Sequence, residues 1–98
     1  MSFDNPAKKA VQDKIESQIK TVEAKLDTLK AKAETARAAA ELKAIADLVT
    51  KKHMIDQKLN DLKKSSESAY QQAKTDIESR VAELEKSVQS IEAKFKAA

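Results

Sequence analysis

Lys63-Lys64-Ser65-Ser66-Glu67-Ser68, read KKSSES, is the longest run without an apolar residue in a chain that otherwise repeats apolar side chains at helical spacing. Two lysines suit the negative end of a finishing helix, and the serines offer oxygen acceptors for the unpaired amides that open the next one. Ser68 and Gln71 are spaced as a capping box. The chain is therefore expected to bend at 64–67, with Ser65 and Ser66 as the break and a second helix over 68–96.

Upstream of the break, apolar residues recur at steps of four and three: Val11, Ile15, Ile19, Val22, Leu26, Leu29, Ala33, Ala36 and Ala40. Steps averaging 3.5 place one narrow stripe on one side of a helix, a face that expects a partner helix. Asp4 or Asn5 supplies a start signal, with Pro6 at a position that needs no donor. Residues 31–46, AKAETARAAAELKAIA, contain eight alanines, the residue most favourable to helix, and no glycine to end one. The stripe slips through Ala40, Ala44 and Leu48, three steps of four that read as a stutter, then runs Lys52, Ile55, Leu59 and Leu62. One helix over about 6–63 is the expectation. Downstream, Ala69, Ala73, Ile77, Val81, Leu84, Val88, Ile91 and Phe95 form the matching stripe. Asp76 with Arg80 and Glu92 with Lys96 are spaced to pair along that helix.

This pattern predicts a single all-α domain over 1–98, an antiparallel coiled-coil hairpin. The last helix folds back on the second half of the first, matching Ile77 to Ile55 and Leu84 to Leu48. The stripe Val11, Ile15, Ile19, Val22, Leu26 and Leu29 is then left for self-association, so the hairpin is expected to be completed as a homo-oligomer. Two alternatives share the periodicity. A turn near Thr50–His53 gives a symmetric hairpin that pairs Ile15 with Val88, and a further break near 38–42 gives a monomeric three-helix bundle.

Composition narrows the chemistry. Of 98 residues 36% are charged, with a net charge of +3, three aromatics, one proline, and neither glycine nor cysteine. Without glycine, phosphate-cradling loops and oxyanion-hole turns are costly to build. Without cysteine there is no disulfide, thiolate ligand or thiol nucleophile. No window approaches a membrane span, and the first residues carry no apolar leader, so a soluble, cytoplasmic protein is expected. The excess of base lies in residues 1–64, and both signs interleave as on a solvated helix surface.

No constellation carries catalysis. His53 is the only histidine. Asp56 one turn on, with Asp47 and Gln57, could supply half a metal site, whereas a zinc site takes three or four protein ligands; the plainer reading is a solvent-facing side chain. Glu83 and Glu85, like Asp76 and Glu78, are two residues apart and point to different sides of a helix. Lys8-Lys9, Lys51-Lys52 and Lys63-Lys64 could attract an anionic partner, but no aromatic lies beside them to stack a base, so no sequence-specific nucleic-acid binding is expected. Tyr70, just after the break, is expected to wedge the corner with its hydroxyl in water.

Residues 25–74, KLDTLKAKAETARAAAELKAIADLVTKKHMIDQKLNDLKKSSESAYQQAK, resemble a group of small uncharacterised bacterial coiled-coil proteins. Those carry a long Asp/Lys/Ala-rich helix, a Leu-Lys-(Ala)-Ser-Gly-like break and a helix opening with Asp-Ala-Trp. Here Ser65-Ser66-Glu67-Ser68-Ala69-Tyr70 stands at that break, without glycine and with tyrosine in place of tryptophan. The resemblance spans about half the chain and implies the break at 64–67 but no activity. The functional expectation is a non-enzymatic structural or protein-interaction protein without a cofactor, which self-associates and meets an unidentified protein partner. The alternative is an amphipathic helix that binds anionic lipid surfaces reversibly.

Overall fold

The structure is a computed structural model that describes residues 6–97, with side chains over 8–96. The start signal at Asp4 and Asn5 lies outside the described residues. Three helices account for the described chain: α1 (Pro6–Ala36), α2 (Ala39–Lys64) and α3 (Glu67–Ala97). Every pair of helices is in contact, so the chain is a three-helix bundle.

The continuous helix expected over 6–63 is interrupted at Arg37 and Ala38, inside the alanine-rich segment. Arg37 takes a left-handed conformation, φ 54°. Its amide donates to the Glu34 carbonyl at 3.2 Å, and the Ala38 amide donates to the Ala33 carbonyl at 2.9 Å. These two bonds make a Schellman ending, which glycine usually supplies because it has no Cβ to clash in that conformation. An arginine there leaves no mark in the sequence. The slip at Ala40, Ala44 and Leu48 is the trace of this turn. Ala36 and Ala40 are exposed; beyond the turn Leu42 and Ile45, which the extrapolated stripe omits, join the core, and the stripe itself resumes at half-buried Ala44 and buried Leu48. Residues 50–53 lie within α2, so the symmetric hairpin is also ruled out.

At the second turn Ser65 is extended, φ −72° and ψ 152°. Its amide (3.1 Å) and hydroxyl (2.7 Å) both donate to the Leu62 carbonyl, which closes α2. The Ser66 carbonyl accepts the Ala69 and Tyr70 amides, so α3 opens from Ser66. Ser68 is already helical, and its hydroxyl meets that of Ser66 at 3.1 Å. The capping box expected at Ser68 and Gln71 therefore does not start this helix.

Side-chain contacts fix the course of the chain. Glu16 of α1 pairs with Lys63 of α2, and Glu23 with Lys52 at 3.0 Å, so these helices run antiparallel. Lys58 pairs with Asp76 at 3.5 Å across α2 and α3, next to the turn that reverses the chain. Tyr70 lies beside Lys8, and Glu92 beside Lys25, so α1 and α3 run parallel. The bundle measures 53 × 18 × 16 Å with a radius of gyration of 15.7 Å, longer than the ~13 Å of a compact 100-residue domain. A 31-residue helix is itself ~46 Å long.

One core runs the length of the molecule. Ile15, Ile19, Val22, Leu26, Leu29 and Ala33 enter from α1, meeting Ile45, Leu48, Ile55, Leu59 and Leu62 from α2. Six residues of α3, from Tyr70 to Ile91, complete it. Burying each large aliphatic side chain contributes ~1.5–3 kcal/mol. Among the described residues no polar or charged residue is buried. Lys52 is half-buried, at a stripe position of α2 between Leu48 and Ile55. Its stem is largely covered while its ammonium reaches Asp56 at 2.8 Å and Glu23 at 3.0 Å.

Aromatic rings stand at the two ends. Phe95 packs half-buried against the core near the first turn and lines an open groove of ≈ 420 Å³ with Ala31 and Ala36. Tyr70 is at the other end and is buried, not the water-facing wedge expected. Its hydroxyl points to the Lys8 carbonyl at 3.4 Å, and the Lys8 ammonium lies 4.7 Å from its ring centre. Burial, and then the charge of Glu78, push its phenol above the usual range.

Candidate functional site

The residues singled out for self-association are not on the surface. Ile15, Ile19, Val22, Leu26 and Leu29 are each 5% exposed or less, packed with residues of α2 and α3 in one core, and Val11 is half-buried beside them. The partner that the α1 stripe requires is the rest of its own chain. A surface for partners must therefore be sought along the seams between helices.

The three seams differ in charge. Across α1 and α2, the carboxylates of Glu16 and Glu23 face Lys63 and Lys52. The hydrogen bond from Lys63 holds the Glu16 carboxyl below its ordinary range. Hydrogen bonds to Asp56 and then Glu23 raise Lys52 above its own. Across α1 and α3, Lys25 approaches Glu92 at 3.9 Å. Glu92 was expected to pair with Lys96 one turn on; the pair found instead joins two helices. Opposite signs thus meet across both seams.

Across α2 and α3 the signs are mixed, with cations in excess around Lys51. Lys51 and Lys58 flank the core on the α2 side, and Arg80 with Ser87 on the α3 side. Among the described residues only Lys58 finds an acid across the seam, Asp76, which also accepts from Arg80 at 3.1 Å. That Arg80 bond, foremost, lowers the Asp76 carboxyl from its usual range. Cations facing each other draw no side chains together over the apolar floor, and a groove of ≈ 590 Å³ remains open. Its floor is Ile55 and Leu84, its wall Met54, and its rim Lys51, Arg80 and Lys86 against a single acid, Glu83. Met54 is 46% exposed, one of the few large apolar side chains outside the core. A second groove of ≈ 410 Å³ follows the same seam toward the turn, over Ala73 and Ile77.

The paired lysines of the sequence separate in space. Lys51 rims the groove, whereas its neighbour Lys52 points to α1. Lys63 pairs with Glu16, and Lys64 is exposed beside the turn. His53 is exposed on α2, and its nearest acid in sequence, Asp56, is held by Lys52. Among the described residues no group of three or more His, Asp or Glu side chains converges as a metal site, and no helix is long and apolar enough to cross a membrane.

Sequence reasoning did not find the groove. Its signal was present, since Lys51 and Lys58 on one helix and Arg80 on the other all flank the apolar stripe. Which flank faces which neighbour depends on how the helices pack, which spacing along one helix does not give. Compared with models of protein families, with curated proteins and with solved structures, this chain matches none.

Proposed function

We propose that this is a non-enzymatic interaction protein, a helical bundle that offers its α2–α3 seam to an acidic, amphipathic helix of a partner protein. The observation that carries the reading is the groove itself: an apolar floor under a rim of three cations and one acid, between α2 and α3. A partner helix laid there buries Met54, Ile55 and Leu84 on its apolar face, as helix-in-groove recognition does elsewhere. Its carboxylates meet Lys51, Arg80 and Lys86. Rim charges of this kind steer association and select partners more than they add affinity. A helix of about 21 residues, ~31 Å long, reaches along both grooves.

The probe is a synthetic helical peptide of that length with leucine on one face and glutamate on its flanks. Titrated into the full chain, it should shift the backbone resonances of residues 51–61 and 76–90 and leave those at the outer face of α1 unmoved. Binding should weaken with salt, because exposed charges are screened over ~10 Å at 0.1 M. The double variant K51E/K86E, with both side chains at the rim, should fold normally and lose at least tenfold in affinity. Equal affinity in that variant overturns the reading. Anionic vesicles provide the control: salt-sensitive co-sedimentation that the peptide does not compete away favours the lipid alternative.

A further inference from the structure

The turn between α1 and α2 is built from residues that would rather be helix. From Ala31 to Ala46 the chain carries eight alanines and no glycine or proline, and helix propensity favours running straight through. The turn is held instead by Arg37 in the left-handed region, φ 54°, which is strained for any residue with a Cβ. Beyond it, α2 opens from Ala38 with no side-chain cap on its first amides. The Ala39 amide reaches only the Arg37 carbonyl, at 3.1 Å. In a straight helix the amides of Ala39, Ala40 and Glu41 would meet the carbonyls of Thr35, Ala36 and Arg37, and Arg37 would relax.

Nothing in the core opposes straightening as long as α1 finds the same surroundings again. The face carrying Ile15, Ile19, Val22, Leu26 and Leu29 needs an α2 and an α3, and a second copy of this chain supplies both. We infer that Arg37–Ala38 is an exchange hinge. When it straightens, α1 and α2 join into one helix over 6–64, and the α1 of each chain packs against the α2 and α3 of its twin. The intramolecular form is favoured by the high effective concentration of α1 near its own core. The exchanged dimer is favoured by relief of two hinges and by protein concentration, as short strained connections generally invite. Its joined helix is ~88 Å long, against the 53 Å of the closed bundle.

The full chain is unfolded in guanidinium, refolded at low and at high protein concentration, and then analysed by sedimentation equilibrium and small-angle X-ray scattering. Refolding at high concentration should give a dimer with a maximum dimension near ~90 Å and the helicity of the monomer or slightly more. Two variants test the hinge. Ala39→Pro places proline at the first position of α2, where it gives up only the Ala39 bond to the Arg37 carbonyl but forbids a continuous helix; it should give monomer only. Arg37→Gly relieves the left-handed residue and should lower the dimer association constant at least about 25-fold, the square of about fivefold per hinge. If Ala39→Pro does not fold, Arg37→Gly decides alone. A chain that stays monomeric at every concentration overturns the inference. So does a dimer no longer than the bundle, or one that Arg37→Gly leaves unchanged.

Discussion

Arg37 shows how much one backbone angle can decide. Its left-handed φ turns the chain by itself, since the two bonds that close α1 require that conformation and no other. A Cβ in this region costs roughly 1–2 kcal/mol, part of which glycine gives back through its greater freedom in the unfolded chain. Arg37→Gly should therefore stabilise the monomer by about 1 kcal/mol, a rise of ~4–8 °C in melting temperature for a domain of this size. Thermal unfolding by circular dichroism at low protein concentration checks it. An unchanged or lower melting temperature would mean that Arg37 is held by something other than its backbone. The threonines offer a milder case of local accommodation. Thr21, Thr28, Thr50 and Thr75 each donate their hydroxyl to the carbonyl four residues back, so these residues sit inside helices without an unpaired donor.

Among the elements, α2 departs most from its own pattern. It meets both neighbours with one stripe, and a lysine stands in the middle of that stripe. Lys52 has its stem against the core and its charge shared by Glu23 and Asp56, an arrangement that ties α2 to α1 at one height. A partly buried charge that keeps its partners is often no more stable than an apolar side chain of similar size. Glu23 and Asp56 are themselves exposed enough to return to water. Lys52→Leu should then raise unfolding stability by about 1 kcal/mol, read from urea titration, and should make stability less sensitive to salt. A loss of stability would show the ion pairs to outweigh burial. The element boundaries were legible to different degrees. The end of α2 was visible at Ser65 and Ser66 because a polar run interrupts the periodicity. The end of α1 was not, because arginine and alanine stood where glycine is the usual mark.

The whole molecule is joined at its seams by charges that should set its response to pH. Glu16 and Asp76 titrate below their ordinary values, 4.5 and 3.8, because the folded chain favours their ionised forms. Their contribution is complete above those values and is lost as pH falls through the lowered ones. Lys52 and Tyr70 are both raised, from 10.5 and 10.0. Their contribution is complete below those values and is lost as pH rises through the raised ones. Melting temperature should therefore be level between about pH 5.5 and 9 and fall on either side. Glu16→Gln together with Asp76→Asn should flatten the acid limb and leave the alkaline limb alone. An acid limb of unchanged steepness in that variant would assign it to other carboxylates.

From residues alone the chain was already all-helical, with neither glycine nor cysteine. Each of these readings depends on near neighbours: helix propensity on the residue itself, apolar spacing on positions three and four apart, the serine break on a run of six. The number of helices, and with it the fate of the Val11–Leu29 stripe, lay beyond that reach. Heptad stripes match in any register shifted by seven, so periodicity alone could not say whether α1 finds its partner in another chain or in its own. Packing settled it within this structure, by placing a strained Arg37 where α1 can return to the core. The α2–α3 groove followed from the other turn, at Ser65 and Ser66, which brings α3 back along α2 and sets Lys51 and Arg80 around one groove.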